Sequence, residues 1–225
     1  NNPRRGNISP DVFIPIAEGY NLIVPLTRYV IAETARRLHY FPQDANFHIG
    51  INVAARHFSN GELLRDLHTY WFSANPVQQL VVELTERDVL REGDHHMAEH
   101  LHFKGVQLAI DDFGTGNSSL SWLEKLRPDV LKIDKSYTGA IGIDGVNATV
   151  TDMIIALAHR LKIVTIAEGV ETQEQKIYMR SHGVDLLQGY YYARPLPVED
   201  FPRWLAEEKH RLAATGGKKQ PAGQV

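Results

Sequence analysis

Short apolar, β-rich runs alternate along this chain with amphipathic stretches of helical spacing. Short β-rich runs recur at 47–54 (FHIGINVA), 79–86 (QLVVELTE), 106–113 (VQLAIDDF), 130–134 (VLKID), 162–169 (KIVTIAEG) and 186–193 (LLQGYYYA). Stretches of helical spacing lie between them. Segment 25–39 gathers Leu26, Tyr29, Val30, Ala32, Ala35 and Leu38 near one face, and segment 146–161 does so with Val150, Met153, Ile154, Leu157, Ala158 and Leu161. Helix starts are marked by Ser9-Pro10, a capping residue followed by proline at the first helical position, and by Asn60 and Thr172. Near-continuous apolar strands separated by helices predict a parallel sheet covered on its outer face.

Polar residues stand at the carboxyl ends of these runs: Asn52, Glu83 with Glu86, Asp111 with Asp112, Lys132 with Asp134, Glu168 with Glu171, and Gln188. In a doubly wound sheet only strands near the switch point serve one site. Here all six contribute, as they do where a barrel brings every strand end to one ring. The fold class expected is therefore α/β, a (β/α)8 TIM-like barrel, here lacking the first two strands. Open strand edges invite pairing or aggregation, so an amino-terminal segment of about two strands is expected upstream. The barrel is expected over 1–212, with a disordered tail at 213–225 ending in GGKKQPAGQV.

Composition narrows the partners. The chain has 225 residues, long enough for one sizeable core, and a formal net charge of −3. No global basic field recruits a polynucleotide. The absence of cysteine excludes a disulfide framework and thiolate metal sites, and fits a cytoplasmic location. No apolar run approaches the roughly 20 residues of a membrane helix.

Candidate chemistry concentrates in LAIDDFGTGN, residues 108–117, where an apolar run ends in Asp111 and Asp112 before a Gly-Thr-Gly turn. Adjacent carboxylates repel unless a cation or proton intervenes. With Glu83 and Glu168 at the same mouth, hard divalent ions such as Mg²⁺ or Mn²⁺ match the oxygen donors, and Asn52 adds a neutral carbonyl. Asp111 is placed to bridge two ions, with Asp112 and Glu168 on the second. Two metals would activate water and stabilise both oxygens of an in-line displacement at phosphorus, with Lys132 holding the water or offsetting phosphate charge. Phosphodiester hydrolysis is the predicted reaction.

Seven motifs in order carry a resemblance: SPDVFIPIAE (9–18), INVAARHF (51–58), VVELTE (81–86), DDFGTGNSSL (111–120), LKID (131–134), IAEGVET (166–172) and LQGYYYARPLP (187–197). Together they closely resemble the EAL-domain phosphodiesterases, which hydrolyse the bacterial second messenger cyclic di-GMP. The resemblance implies a barrel, dependence on two Mg²⁺ or Mn²⁺ ions, and conversion of cyclic di-GMP to linear pGpG. By position, Asn52, Glu83 and Asp111 resemble ligands of the first metal, and Asp111, Asp112 and Glu168 those of the second. Lys132 matches the water-positioning lysine and Gln188 the site glutamine. Glu86 matches the glutamate that holds the loop Phe113 to Ser119, and Glu171 a supporting carboxylate. Arg194-Pro195 lies where the family meets substrate phosphate or guanine. The family also implies a homodimer whose interface borders that loop, and attachment to a sensory or membrane region on the cytoplasmic side.

Two departures from the family pattern stand out. The Glu-Ala-Leu motif that supplies a first-metal glutamate, and the arginine after it, do not occur in this chain, and Asn117 stands where many relatives carry an aromatic residue. The missing glutamate motivates an alternative, a catalytically impaired effector module that binds cyclic di-GMP; a purely structural role is the third reading. The histidines at 95, 96, 100 and 102 read as a solvated helix face, and Tyr190, Tyr191 and Tyr192 as strand-end packing with outward hydroxyls.

Overall fold

A computed structural model of the chain describes residues 4, 6, 8–86, 93–115, 120–142 and 145–214. Two helices come first, α1 (Pro10–Gly19) and α2 (Ile23–Arg36). Strand β1 (His48–Asn52) leads into two short helices, α3 (Ala55–Ser59) and α4 (Glu62–Asp66), and a π-helical turn over Leu67–Trp71. Then follow β2 (Gln79–Thr85), α5 (Asp94–Phe103), β3 (Gln107–Phe113), α6 (Leu120–Leu126) and β4 (Val130–Ile133). The remainder is α7 (Lys135–Gly139), α8 (Gly145–Leu161), β5 (Val164–Ala167), α9 (Gln173–Ser181), β6 (Leu186–Leu187) and α10 (Phe201–Ala214).

All strand pairs are parallel, and the spatial order is β1-β2-β3-β4-β5-β6. The winding never reverses. A doubly wound sheet needs such a reversal, so this is the singly wound sheet of a (β/α)-barrel. The two faces differ as that architecture demands. Ile49, Ile51, Leu80, Val82, Leu84, Leu108, Ile110, Leu131 and Ile133 pack with helix residues such as Ile31, Leu101, Ile154 and Met179 in the main core. On the inner face lies a small separate cluster of Val81, Ala109 and Val130, with Ile166 against it. One strand position further along on that face stand the charged residues of the site.

Several element ends differ from the sequence pattern. The run 186–193 forms strand only at Leu186–Leu187, because β6 has one neighbour among the described residues and the chain then turns back. Val170 N–H donates to Gln188 O at 3.0 Å and Tyr191 N–H to Val170 O at 2.9 Å. A Cβ at Gly189 would fall 2.2 Å from Val170 O, so the close approach requires glycine. Asn60 ends α3 and Gly61 starts α4, although Asn60 Oδ1 still accepts from Glu62 N–H at 2.8 Å. Thr172 does open α9, in a reciprocal capping box with Gln175. Helix α10 runs two residues into the segment read as tail; the rest of that tail lies outside the described residues.

Helices α3 and α4, with α2, share a buried polar group. His57 is fully buried, with Nε2 3.0 Å from Asp66 Oδ2, while Arg28 Nε donates to both Asp66 oxygens at 2.9 Å. His57 Nδ1 is buried and has no partner. Protonation would place an unpaired N–H there, so burial lowers the imidazole pKa despite the opposing pull of Asp66. The sign follows from linkage. Below about pH 6.5 the unfolded chain takes up a proton that the folded chain refuses, so stability present above that pH is lost as pH falls toward the folded value. Urea unfolding between pH 7.5 and 5.5 is expected to show a loss of up to about 1.4 kcal/mol per pH unit from this group, absent in His57→Gln. Identical slopes in both proteins would contradict the assignment.

Candidate metal centre

The site is organised around a lysine in an apolar strand. In β4 the side chains of Leu131 and Ile133 join the main core, which leaves Val130 and Lys132 for the inner face. Lys132 is buried, and its Nζ lies 3.0 Å from Glu83 Oε2, 3.1 Å from Asp111 Oδ2 and 2.8 Å from Glu168 Oε1. Three segments thus converge on one ammonium: β2, β3 and the residue after β5. Room for Glu83 comes from β1, where a Cβ at Gly50 would sit 2.1 Å from Glu83 Oε1.

Asp112 enters the same group by a local irregularity. Consecutive strand residues point to opposite faces, so Asp111 and Asp112 would separate in a regular β3. The β3–β4 register shifts between Ile110 and Phe113, and Asp112 adopts φ +53°, rare for a residue with a Cβ. Asp111 Oδ1 accepts from Asp112 N–H at 2.9 Å, which steadies the turn. As a result carboxylate oxygens of Asp111, Asp112 and Glu168 all lie within 4.8 Å of one another. Among the described residues this is the one such cluster, and no histidine joins it.

Electrostatics show what the cluster lacks. Burial by itself would lower the Lys132 pKa, but Glu83, Glu168 and Asp111 together raise it above its ordinary value. Burial raises the Glu83 and Glu168 carboxyls even against the lysine's attraction, and burial, Asp111 and Asp134 raise Asp112. The lysine is held charged while Glu83, Glu168 and Asp112 are pushed toward protonation. These directions agree once charge is counted: four carboxylates against one ammonium leave three negative charges unneutralised. A divalent cation held by Asp111, Asp112 and Glu168 would relieve that excess, and their all-oxygen donor set suits a hard ion.

The other expected residues fall into two sets. Asn52, the last residue of β1, is in register with Glu83 on the adjacent strand. Glu86 is buried just after β2, where its backbone N–H donates to Asp111 O at 3.0 Å and its Oε2 accepts from Gly114 N–H at 2.8 Å. Gln188 follows β6 and donates its backbone N–H to Ala167 O at 2.8 Å. Glu171 is exposed beside the α9 cap, with its N–H on Gln175 Oε1 at 2.7 Å. Arg194 and Pro195 line a shallow cavity of about 320 Å³ with Asp200, Arg203, Trp204 and Glu207, and Arg194 stacks over Tyr190 at 4.5 Å. Of the expected loop, Phe113, Gly114 and Thr115 are in place, while residues 116–119, including Asn117, lie outside the described residues.

Two further residues join the site, Asp134, expected only as a strand-end polar residue, and Tyr137, not expected at all. Asp134 caps α7 by accepting from Ser136 N–H at 2.9 Å, and its carboxylate faces that of Asp112. Its spacing two residues after Lys132, on the same strand face, was the available signal. Tyr137 donates its hydroxyl to Gly114 O, a contact that nothing in the local pattern announces. The histidines of α5 lie on its outer part: His96 is 3.4 Å from Glu99, His100 bonds its own helix at 2.9 Å, and His102 pairs with Asp129 at 3.0 Å.

A ring of parallel strand ends around one acidic cluster is the arrangement of a (β/α)-barrel that gathers its charged residues at a single mouth. The chain belongs to the EAL domain family, which it matches over residues 1–195. It is 64% identical over 221 residues to "Probable cyclic di-GMP phosphodiesterase PdeD" of Escherichia coli strain K12, covering 98% of this chain and 42% of that protein. To "Cyclic di-GMP phosphodiesterase PdeL" of the same strain it is 39% identical over 206 residues, covering 88% and 56% respectively. The chain therefore spans about two fifths to just over half of these relatives. Among solved structures, the PaMucR phosphodiesterase in complex with c-di-GMP superposes with a TM-score of 0.81 at 33% identity, over 88% of this chain and 83% of that one.

Proposed function

We propose that this domain hydrolyses cyclic di-GMP to linear pGpG, by in-line attack of water on one phosphodiester in the presence of two Mg²⁺ or Mn²⁺ ions. The observation that carries the reading is the convergence of Glu83, Asp111 and Glu168 on Lys132 Nζ within 3.1 Å, with Asp112 turned into the same group. Family membership and the curated relatives support the substrate.

Asp111, Asp112 and Glu168 would hold one ion, and Asn52, Glu83 and Asp111 the other. Bound there, the ions supply Lewis-acid charge to the phosphoryl oxygens and make water acidic enough to attack at neutral pH. Lys132 remains protonated, so its role is to orient the water and offset charge rather than to remove a proton. In the reaction the water oxygen bonds to phosphorus, the bond to the 3′ oxygen breaks, and that oxygen takes up a proton. Glu86 holds the turn that carries Asp112, and Glu171 supports the mouth. Gln188, Arg194 and Pro195 form the proposed substrate-binding set.

The domain is assigned to residues 1–212 and the tail to 213–225. We assign it a homodimeric state, attachment to a sensory or membrane region, and a cytoplasmic location. The larger size of the relatives supports the attachment. No helix among the described residues is long and apolar enough to cross a membrane.

The test follows pGpG by chromatography after incubation of the protein with cyclic di-GMP and Mg²⁺ or Mn²⁺. Metal-dependent appearance of pGpG is expected. Binding of the dinucleotide without turnover would replace this reading with that of a non-hydrolysing effector. Ca²⁺ is expected to bind and inhibit, because its longer, irregular coordination does not meet the tight octahedral geometry that suits Mg²⁺. Equal turnover with Ca²⁺ would remove the two-ion geometry from the proposal.

A further inference from the structure

Gly114 is held through both of the peptide units that flank its Cα. Its N–H donates to Glu86 Oε2 at 2.8 Å, and its carbonyl accepts from the Tyr137 hydroxyl. Its backbone, at φ +99°, leaves no space for a side chain: a Cβ would fall 2.6 Å from Tyr137 Cε2 and 2.9 Å from Ile154 Cδ1. The tyrosine ring, the α8 side chain and the glutamate thus enclose one glycine. Two residues upstream stands Asp112, in a left-handed conformation that costs about 1–2 kcal/mol for a residue with a Cβ. Thr115 closes the turn by donating its hydroxyl to Asp112 O at 2.9 Å. Whatever fixes Gly114 and Thr115 therefore fixes the direction of the Asp112 carboxylate.

We infer that Tyr137 is a positioning residue for the metal centre: through the Gly114 carbonyl it holds the Asp112 turn in the geometry that joins Asp112 to Asp111 and Glu168. The inference rests on the metal-dependent reading above. Tyr137 is suited to the task by its place in the chain. It lies in α7, three residues after Asp134 and five after Lys132, so the element that begins at the lysine strand grips the turn that ends β3. The two arms are complementary. Glu86 restrains the N–H of Gly114 from the β2 side, and Tyr137 restrains its carbonyl from the β4 side. Loss of one arm leaves the peptide unit on that side of Gly114 without its side-chain restraint. Burial and the charges of Glu86 and Asp134 keep the phenol protonated, so it serves as a donor across the neutral pH range.

Tyr137→Phe removes the hydroxyl and keeps the ring that packs on Gly114. Direct Mn²⁺ titration of the purified chain, by calorimetry or by the electron paramagnetic resonance signal of free Mn²⁺, needs no substrate. Wild-type protein is expected to bind Mn²⁺, and Tyr137→Phe to bind it about ten- to hundredfold more weakly, as outer partners of metal ligands commonly do. In turnover assays the Mn²⁺ concentration for half-maximal rate rises correspondingly, while the KM for cyclic di-GMP stays within about twofold of wild type. Unchanged Mn²⁺ affinity in Tyr137→Phe would overturn the positioning role and leave the functional reading intact. Absence of Mn²⁺ binding in the wild type would overturn both. A variant that also loses its cooperative unfolding transition in EDTA would assign Tyr137 to the fold instead, and overturn the inference by that route.

Discussion

Asp111→Asn is expected to lower hydrolysis of cyclic di-GMP by about a thousandfold or more while leaving the metal-free protein as stable as wild type, or more so. The activity loss follows from the central place of Asp111. Its carboxylate lies against Lys132 at 3.1 Å, belongs to the cluster with Asp112 and Glu168, and is the ligand assigned to both ions. Replacing one anionic oxygen by an amide removes charge from both positions at once, and losses of such electrostatic groups are typically worth about a hundred- to thousandfold each. The stability expectation has the opposite sign because the cluster is overcharged. Burial is the main force that drives Asp112, Glu83 and Glu168 toward protonation, and removing Asp111's charge takes away the repulsion that adds to it. Asparagine also keeps the oxygen that accepts from Asp112 N–H. Thermal unfolding in EDTA together with pGpG formation at saturating Mn²⁺ checks both halves. Retained turnover would remove Asp111 from the bridging role.

Lys132→Met is expected to abolish turnover as well, but to destabilise the metal-free protein by about 3–5 kcal/mol, the scale on which breaking a buried ion pair is felt. For a chain of this size that corresponds to a fall in Tm of about 10 °C. Lys132 is the buried cation on which three carboxylates converge, and the residue beside it on the same strand face, Val130, is apolar. Methionine fills the volume and leaves those carboxylates without a partner. Mn²⁺ is expected to restore much of the lost stability by supplying charge to the same acids, without restoring catalysis. The two substitutions are therefore distinguished by stability and united by loss of activity. A Lys132→Met protein as stable as wild type in EDTA would mean that the carboxylates are neutral in the folded state, and would remove the argument for a cation-demanding centre.

The charge arithmetic also explains why the centre stands where it does. Val81, Ala109 and Val130, with Ile166, form a small apolar layer on the inner face, and the acids and the lysine occupy the next layer toward the strand ends. The apolar layer excludes water from below and strengthens every interaction above it. A single lysine can organise such a layer in the absence of metal, but it cannot neutralise it. That difference separates a structural salt-bridge network from a site prepared for divalent ions.

Much of this was legible in the chain because it depends on local order. Short, near-continuous apolar runs marked the strands and 3.6-residue spacing marked the helices, since burial on both faces or on one imposes those patterns wherever such an element forms. The parallel arrangement followed from runs apolar on both faces. Polar residues at successive strand ends pointed to one mouth, because parallel strands of a barrel all end on the same side. The motifs Asp111-Asp112, Lys132 and Glu168 were visible as chemistry for the same reason. What tertiary structure alone decided was direction. Adjacent aspartates on a regular strand face opposite ways; only the register shift in β3 and the left-handed turn at Asp112 bring both into one cluster. Only the packing of α7 and α8 on Gly114 selects Tyr137 as its second restraint. The end of β6 was set likewise, by backbone bonds to Val170 that no apolar run encodes. Repeats record which residues are buried, whereas side-chain direction at a bulge or turn depends on neighbours distant in the chain.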